Sequence, residues 1–175
     1  MSGDEKLIYD ALVPVIKQIA AGERTSTVIG LGQEVVYNGE VYSVDAPMAF
    51  TTETLSNEML TRIIAALLTD MPYEMYWYDK VNGTASFALV GGDCLVVYLR
   101  LSFHVADNYQ GADPYTVDCA EARAAVAAAK NSAAIVAGYG VRSDYEKLVG
   151  YKNEICDLVT YNYDAAYTGN FSLDN

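Results

Sequence analysis

Apolar residues recur at helical intervals at the start of the chain, at Ile8, Ala11, Leu12, Val15, Ile16 and Ile19, as far as Gly22. Ser2 and Glu5 have the spacing of a capping box, which predicts where this helix begins. Residues 26–50 hold only short extended pieces, Thr27–Leu31, Glu34–Tyr37 and Val41–Val44, interrupted by Gly32, Gly39 and Pro47. A second helical stripe follows over about 55–69, carried by Leu55, Met59, Leu60, Ile63, Ile64, Leu67 and Leu68, and Pro72 prevents its continuation.

The period then changes from helical to alternating. Asn82-Gly83 is a strong hairpin signal and Gly91-Gly92-Asp93 a second turn, so residues 73–105 predict an antiparallel meander. Its last strand places Leu95, Val97, Leu99, Leu101, Phe103 and Val105 on a core face. Cys94, Val96, Tyr98, Arg100, Ser102 and His104 fall on a wetter one. Its first strand sets Tyr73, Met75 and Trp77 against Glu74, Tyr76, Tyr78 and Lys80. Trp77 is expected inside, because Glu74 and Lys80 are cheaper to leave in water.

The remainder reads as helical. Asp118 and Glu121 cap an alanine-rich helix that stops near Gly138 or Gly140. Ser143 and Glu146 form another capping box, opening a helix with Leu148, Tyr151, Ile155, Leu158 and Val159 on one face. From Tyr163 onward the chain is polar, with glycine and aromatic residues. The pattern predicts an α+β fold, an antiparallel β-meander with helices packed on one face. It divides the chain into an α+β N-terminal domain over 1–140 and a helix with its tail over 141–175.

Composition narrows the possible partners. Fifty-two per cent of the 175 residues are hydrophobic, which suits a packed core rather than disorder. A net charge of −12 repels phosphate and anionic lipid, so neither nucleic acid nor a lipid surface is an expected partner. No apolar run approaches the ~20 residues that cross a bilayer, so membrane insertion is not expected either. The opening Met1-Ser2-Gly3-Asp4-Glu5 lacks the basic and apolar regions of a signal peptide.

Candidate chemistry is sparse. One histidine and three scattered cysteines (Cys94, Cys119, Cys156) supply no zinc-ligand spacing, and the cysteines read as buried or semi-buried small hydrophobes. Gly30-Leu31-Gly32 lacks the third glycine of a dinucleotide fingerprint, there is no P-loop, and no carboxylates show calcium-loop spacing. No cofactor or metal is therefore expected. His104 could serve a cysteine nucleophile only if the fold brought the two together. Cys94, ten positions away on the same strand, lies ~33 Å along it. The aromatic run Tyr73 to Asp79 invites a sugar-stacking reading, although strands favour such residues anyway. The candidate binding residues are Tyr76, Tyr78, Tyr98 and Arg100.

The stretch Ser143-Asp144-Tyr145-Glu146-Lys147-Leu148 through Val159-Thr160-Tyr161-Asn162-Tyr163-Asp164 resembles the helix that precedes the catalytic core in the transglutaminase-like, papain-related superfamily. More loosely, residues 5–165 are similar to the N-terminal region of such surface proteins from Gram-positive gut bacteria. The features behind this are Ile8-Tyr9-Asp10-Ala11-Leu12, Ala20-Ala21-Gly22-Glu23 and Pro72 to Asp79. In that family the nucleophilic cysteine opens a later helix, and its histidine and aspartate follow. Cys156 lies within the preceding helix and takes no catalytic role. The resemblance implies an extracellular or cell-wall-associated, non-catalytic N-terminal domain that supports or orients a downstream Cys-His-Asp core for acyl transfer or amide hydrolysis. Its partner would be that downstream domain of the same polypeptide, and residues 163–175 would then lack their natural neighbour. The alternative expectation is a freestanding binding module for cell-wall glycan or a protein partner.

Overall fold

The computed structural model of the chain describes residues 3–158 and has an α+β fold. Its elements are α1 (Asp4–Ala20), β1 (Val28–Gly32), β2 (Val35–Tyr37), β3 (Glu40–Tyr42), β4 (Ala46–Pro47), α2 (Asn57–Asp70), β5 (Thr84–Val90), β6 (Val96–Phe103), α3 (Cys119–Gly138) and α4 (Asp144–Leu158). The chain divides into two compact units at Ala124 and Ala125, so α3 begins in the first and runs through into the second.

In the first unit, four strands form a mixed sheet in the order β4-β1-β6-β5, and β2 and β3 form a separate two-stranded hairpin. β1 and β6 are antiparallel, as are β5 and β6, whereas β4 runs parallel to β1. The meander is therefore reduced to the β5–β6 hairpin. The parallel partner is a strand of two residues, too short to leave any periodic mark on the sequence.

The core lies between one face of this sheet and the apolar stripes of α1 and α2. Ile8, Leu12, Ile16 and Ile19 meet Ile63, Leu67, Ile29, Leu31, Leu99 and Leu101, all of them buried. α1 contains Pro14, with its ring on the exposed side of the helix. The N-terminal cap differs from expectation. Gly3 is the cap residue, without a side-chain bond, and Ser2 lies outside the described residues. Asp4 in the first turn is buried instead, accepting from the Thr51 amide and hydroxyl, each at 2.8 Å. It thereby ties the helix start to the loop before α2. α2 is capped by Ser56, which accepts from the Met59 amide at 3.1 Å.

Residues 73–80 correct the strand expected there. Successive turns form it, with Glu74 and Met75 amides donating to Met71 and Tyr78 to Met75, and one isolated bridge joins Tyr78 to Val105. The physical reason is visible in the burial. Met75, Trp77 and Tyr78 are all inside, and a strand cannot send the adjacent residues 77 and 78 to one side. Trp77 is in the core as expected.

The second unit contains the rest of α3 and α4. Asp118 caps α3, accepting from the Ala120 amide at 2.7 Å. The Ser143–Glu146 capping box is formed in both directions: the Ser143 amide and hydroxyl donate to Glu146, and the Glu146 amide points back to the Ser143 hydroxyl. These contacts hold the Glu146 carboxyl below the usual range. Tyr139, between the helices, fills the space that Gly150 leaves open, meets Tyr151 edge-on at 5.4 Å and donates to Glu154 at 3.1 Å. The expectation for residues 163–175 falls outside the described residues.

Candidate functional site

The outer face of the main sheet carries an aromatic and cationic cluster. Cross-strand register aligns Gly30, Arg100 and Phe87 in one row, and Gly32, Tyr98 and Leu89 in the next. Residues directly opposite one another share a face, so Arg100 and Phe87 are forced into contact. The Arg100 guanidinium lies 5.1 Å from the Phe87 ring centre. Tyr42, delivered by the β2–β3 hairpin, stacks on Phe87 at 5.6 Å and meets Tyr98 edge-on at 5.4 Å.

Gly30 permits this layering. A Cβ on Gly30 would strike the Ser43 carbonyl and come within 2.9 Å of the Tyr98 hydroxyl. The main chain on either side is clamped by Arg24. Its guanidinium donates to Asp45 at 2.5 and 3.2 Å and to the Val28 carbonyl at 2.6 Å, while Asp45 accepts from the Gly30 amide at 2.8 Å. This charge-assisted fork explains how the irregular segment after β3 returns to the sheet.

The four sequence-designated residues do not share one exposed face. Tyr98 and Arg100 belong to the outer cluster, but Tyr98 is buried beneath Tyr42. Tyr78 is buried too, its hydroxyl 3.0 Å from that of Thr84 and its ring edge-on to Phe103. Tyr76 turns elsewhere and donates to the Ala20 carbonyl at 3.0 Å and towards the Ala122 carbonyl at 3.3 Å. Burial pushes its hydroxyl pKa up to about 12. Tyr76 thus joins two main-chain segments and Tyr78 bonds a side-chain hydroxyl, because residues 73–80 coil instead of extending. Tyr42 and Phe87 are the surface partners of Arg100 that sequence reading missed. Tyr42 is 58 positions from Arg100, and no local spacing signals the pair.

Nucleophilic chemistry finds little support in the geometry. His104 Nε2 pairs with the Tyr115 hydroxyl at 3.0 Å. Cys94 and Cys156 are exposed, which corrects the expectation of buried or semi-buried thiols there, whereas Cys119 is half-buried as expected. Cys94 sits at a positive φ of 65° in the tight turn between β5 and β6, and Cys156 falls on the outer side of α4. Among the described residues no three His, Cys, Asp or Glu side chains are grouped to hold a metal ion. Among those residues, too, no helix is long and apolar enough to cross a membrane.

The second unit presents a different surface. On α4, Tyr145, Leu148, Ile155 and Leu158 are 77, 69, 60 and 72% exposed and fall on one side of the helix, with the exposed Lys152 among them. Val141 and Val136 are exposed as well, and so are residues 127–134 of α3. A helix normally turns such a side towards a core. Here those α4 side chains are uncovered among the described residues.

The chain matches no protein-family model, no curated protein and no solved structure.

Proposed function

We propose that the chain is a non-catalytic docking domain, the N-terminal support of a transglutaminase-like extracellular or cell-wall-associated protein, whose helical second unit seats a downstream catalytic core. The observation that carries this reading is the uncovered group Tyr145, Leu148, Ile155 and Leu158. Large apolar side chains gathered exposed on one side of a helix suit an interface. The group belongs to the same capped helix, opened by Ser143 and Glu146, on which the family resemblance rests. On this reading the downstream core brings its own cysteine, histidine and aspartate.

The test begins with the coding sequence beyond the Asn175 codon, where a cysteine-led helix followed by histidine and aspartate is expected. That downstream polypeptide, expressed separately, should bind this chain in trans. Replacing Leu148 and Ile155 together with serine should weaken the complex at least tenfold, while leaving the unfolding midpoint of the free chain unchanged, because neither side chain is buried in it. A coding sequence without those residues, or binding indifferent to both substitutions, overturns the reading.

A second reading rests on the outer sheet face, where the Arg100 guanidinium lies over the half-buried Phe87 ring, on which Tyr42 also stacks, a ring-and-cation pair at the surface. Such a pair suits the apolar face and hydroxyls of a glycan. On this reading, retention on purified peptidoglycan is expected and is lost on Phe87→Ala or Arg100→Ala. Retention that survives both substitutions removes it.

A further inference from the structure

Among the described residues β5 is an edge strand, and its own sequence carries none of the usual guards on the free side. The His104 amide donates to the Gly83 carbonyl, which fixes the phase of the β5–β6 ladder. Ala85, Phe87 and Leu89 then exchange main-chain hydrogen bonds with Ser102, Arg100 and Tyr98. The Phe103 and Gln33 amides, which donate to the Thr27 and Val97 carbonyls on the β1 side, agree with this phase. The amides and carbonyls of Thr84, Ser86 and Ala88 therefore point outward. Edge strands are normally blunted by lysine, proline or an inward-pointing charge. Thr84–Val90 contains none of these, and its only irregularity is a register shift at the far end, between Leu89 and Val90.

Beside that edge is a cleft. The side chains of Thr84 and Ser86 point to the core side of the sheet, but they are too small to reach α2. Between them and α2 lies an open space of about 210 Å³, floored by Leu60, Ile64 and Leu101 and rimmed by Asn57 and Thr61. The space equals the share of about seven waters in the liquid, enough for an aliphatic side chain. A strand added to β5 would place every second side chain on this same face, over the cleft.

We propose that β5 and this cleft bind an extended peptide segment of a partner protein by strand addition. The segment pairs its main chain with Thr84, Ser86 and Ala88 and sets aliphatic side chains, at alternate positions, against Leu60, Ile64 and Leu101. Main-chain bonds supply the affinity and the cleft supplies the selectivity. The net charge of −12 favours basic residues flanking the segment. A second copy of this chain is the poorer occupant. Two β5 strands paired about Phe87 would oppose Ser86 to Ala88 and leave both clefts unfilled, and two chains of charge −12 repel one another.

The probe is a phage-displayed library of random heptapeptides, selected on the full chain. Enrichment of sequences with aliphatic residues at every second position is expected. The best peptide, made synthetically, should shift the amide resonances of Thr84, Ser86 and Ala88 ahead of others. Ala88→Pro removes an outward amide that has no partner in the sheet, a position where an edge strand tolerates proline. It should weaken that peptide at least tenfold. Ser86→Arg, which fills the cleft from an exposed position, should do the same without touching the ladder. Should Ala88→Pro lower the unfolding midpoint, Ser86→Arg alone decides. No enrichment, enrichment equal on wild type and Ser86→Arg, or resonance shifts confined to other elements would each overturn the proposal. So would a concentration-dependent dimer abolished by Ser86→Arg, which would give the edge to a second copy.

Discussion

Trp77→Ala should lower the unfolding free energy by about 3–5 kcal/mol, the range for emptying a large aromatic site in a core. Trp77 is fully buried, and it meets Tyr78 and Phe103 edge-on at 6.4 and 6.3 Å. These rings close the end of the core where the turns of residues 73–80 dock on β6, and the Ala106 amide donates to the Trp77 carbonyl at 2.8 Å. The indole Nε1 has no hydrogen-bond partner among the described residues. A buried unpaired donor costs about 1–3 kcal/mol. Trp77→Phe, which removes that donor while keeping a ring, should therefore lose less than half as much as the alanine variant. Urea unfolding followed by circular dichroism measures both. Equal losses in the two variants would show that the Nε1 group is satisfied in solution, by water for example.

Gly32→Ala is expected to be comparably severe for a different reason. Gly32 ends β1 at φ +112°, and an added Cβ would collide with the Val97 carbonyl and come within 2.9 Å of the Phe50 ring. Backbone strain of about 1–3 kcal/mol adds to an overpacking cost of about 1–3 kcal/mol, so a loss of about 2–6 kcal/mol is expected. Relief by backbone movement is blocked, because the Gln33 amide donates to that same Val97 carbonyl at 2.8 Å and the Met48 amide to the Gly32 carbonyl at 3.1 Å. Moving the glycine would break the junction of β1 with both neighbours. Gly39→Ala is a useful contrast, since its φ is +83° but its Cβ would meet nothing within 4 Å. Only the conformational part of the cost should remain there. A thermal midpoint lowered equally by the two substitutions would refute the steric account.

The sequence by itself determined the elements whose evidence is local. The stripes of α1 and α2 are written in the 3.6-residue period, and the α4 capping box in a spacing of three. The alternation along β6 correctly put Leu99, Leu101, Phe103 and Val105 in the core. Asn82-Gly83 does form a turn, with Gly83 at φ +70°, but not the hairpin expected of it, because residues 73–80 supply no first strand. Local pattern reports which side of an element is apolar, and it is silent on what arrives from elsewhere to cover the other side.

The tertiary structure decided everything that depends on such arrivals. Tyr98 was assigned to the wetter face by parity, and it is buried because a hairpin some fifty residues earlier lays Tyr42 over it. Residues 73–80 alternate well enough to read as a strand, yet they coil, since burying both Trp77 and Tyr78 outweighs extending the sheet. The exposed apolar residues of α4 and the open edge of β5 are decided at the same level. Their residues look like ordinary core and strand positions, and only the three-dimensional arrangement shows that nothing among the described residues covers them.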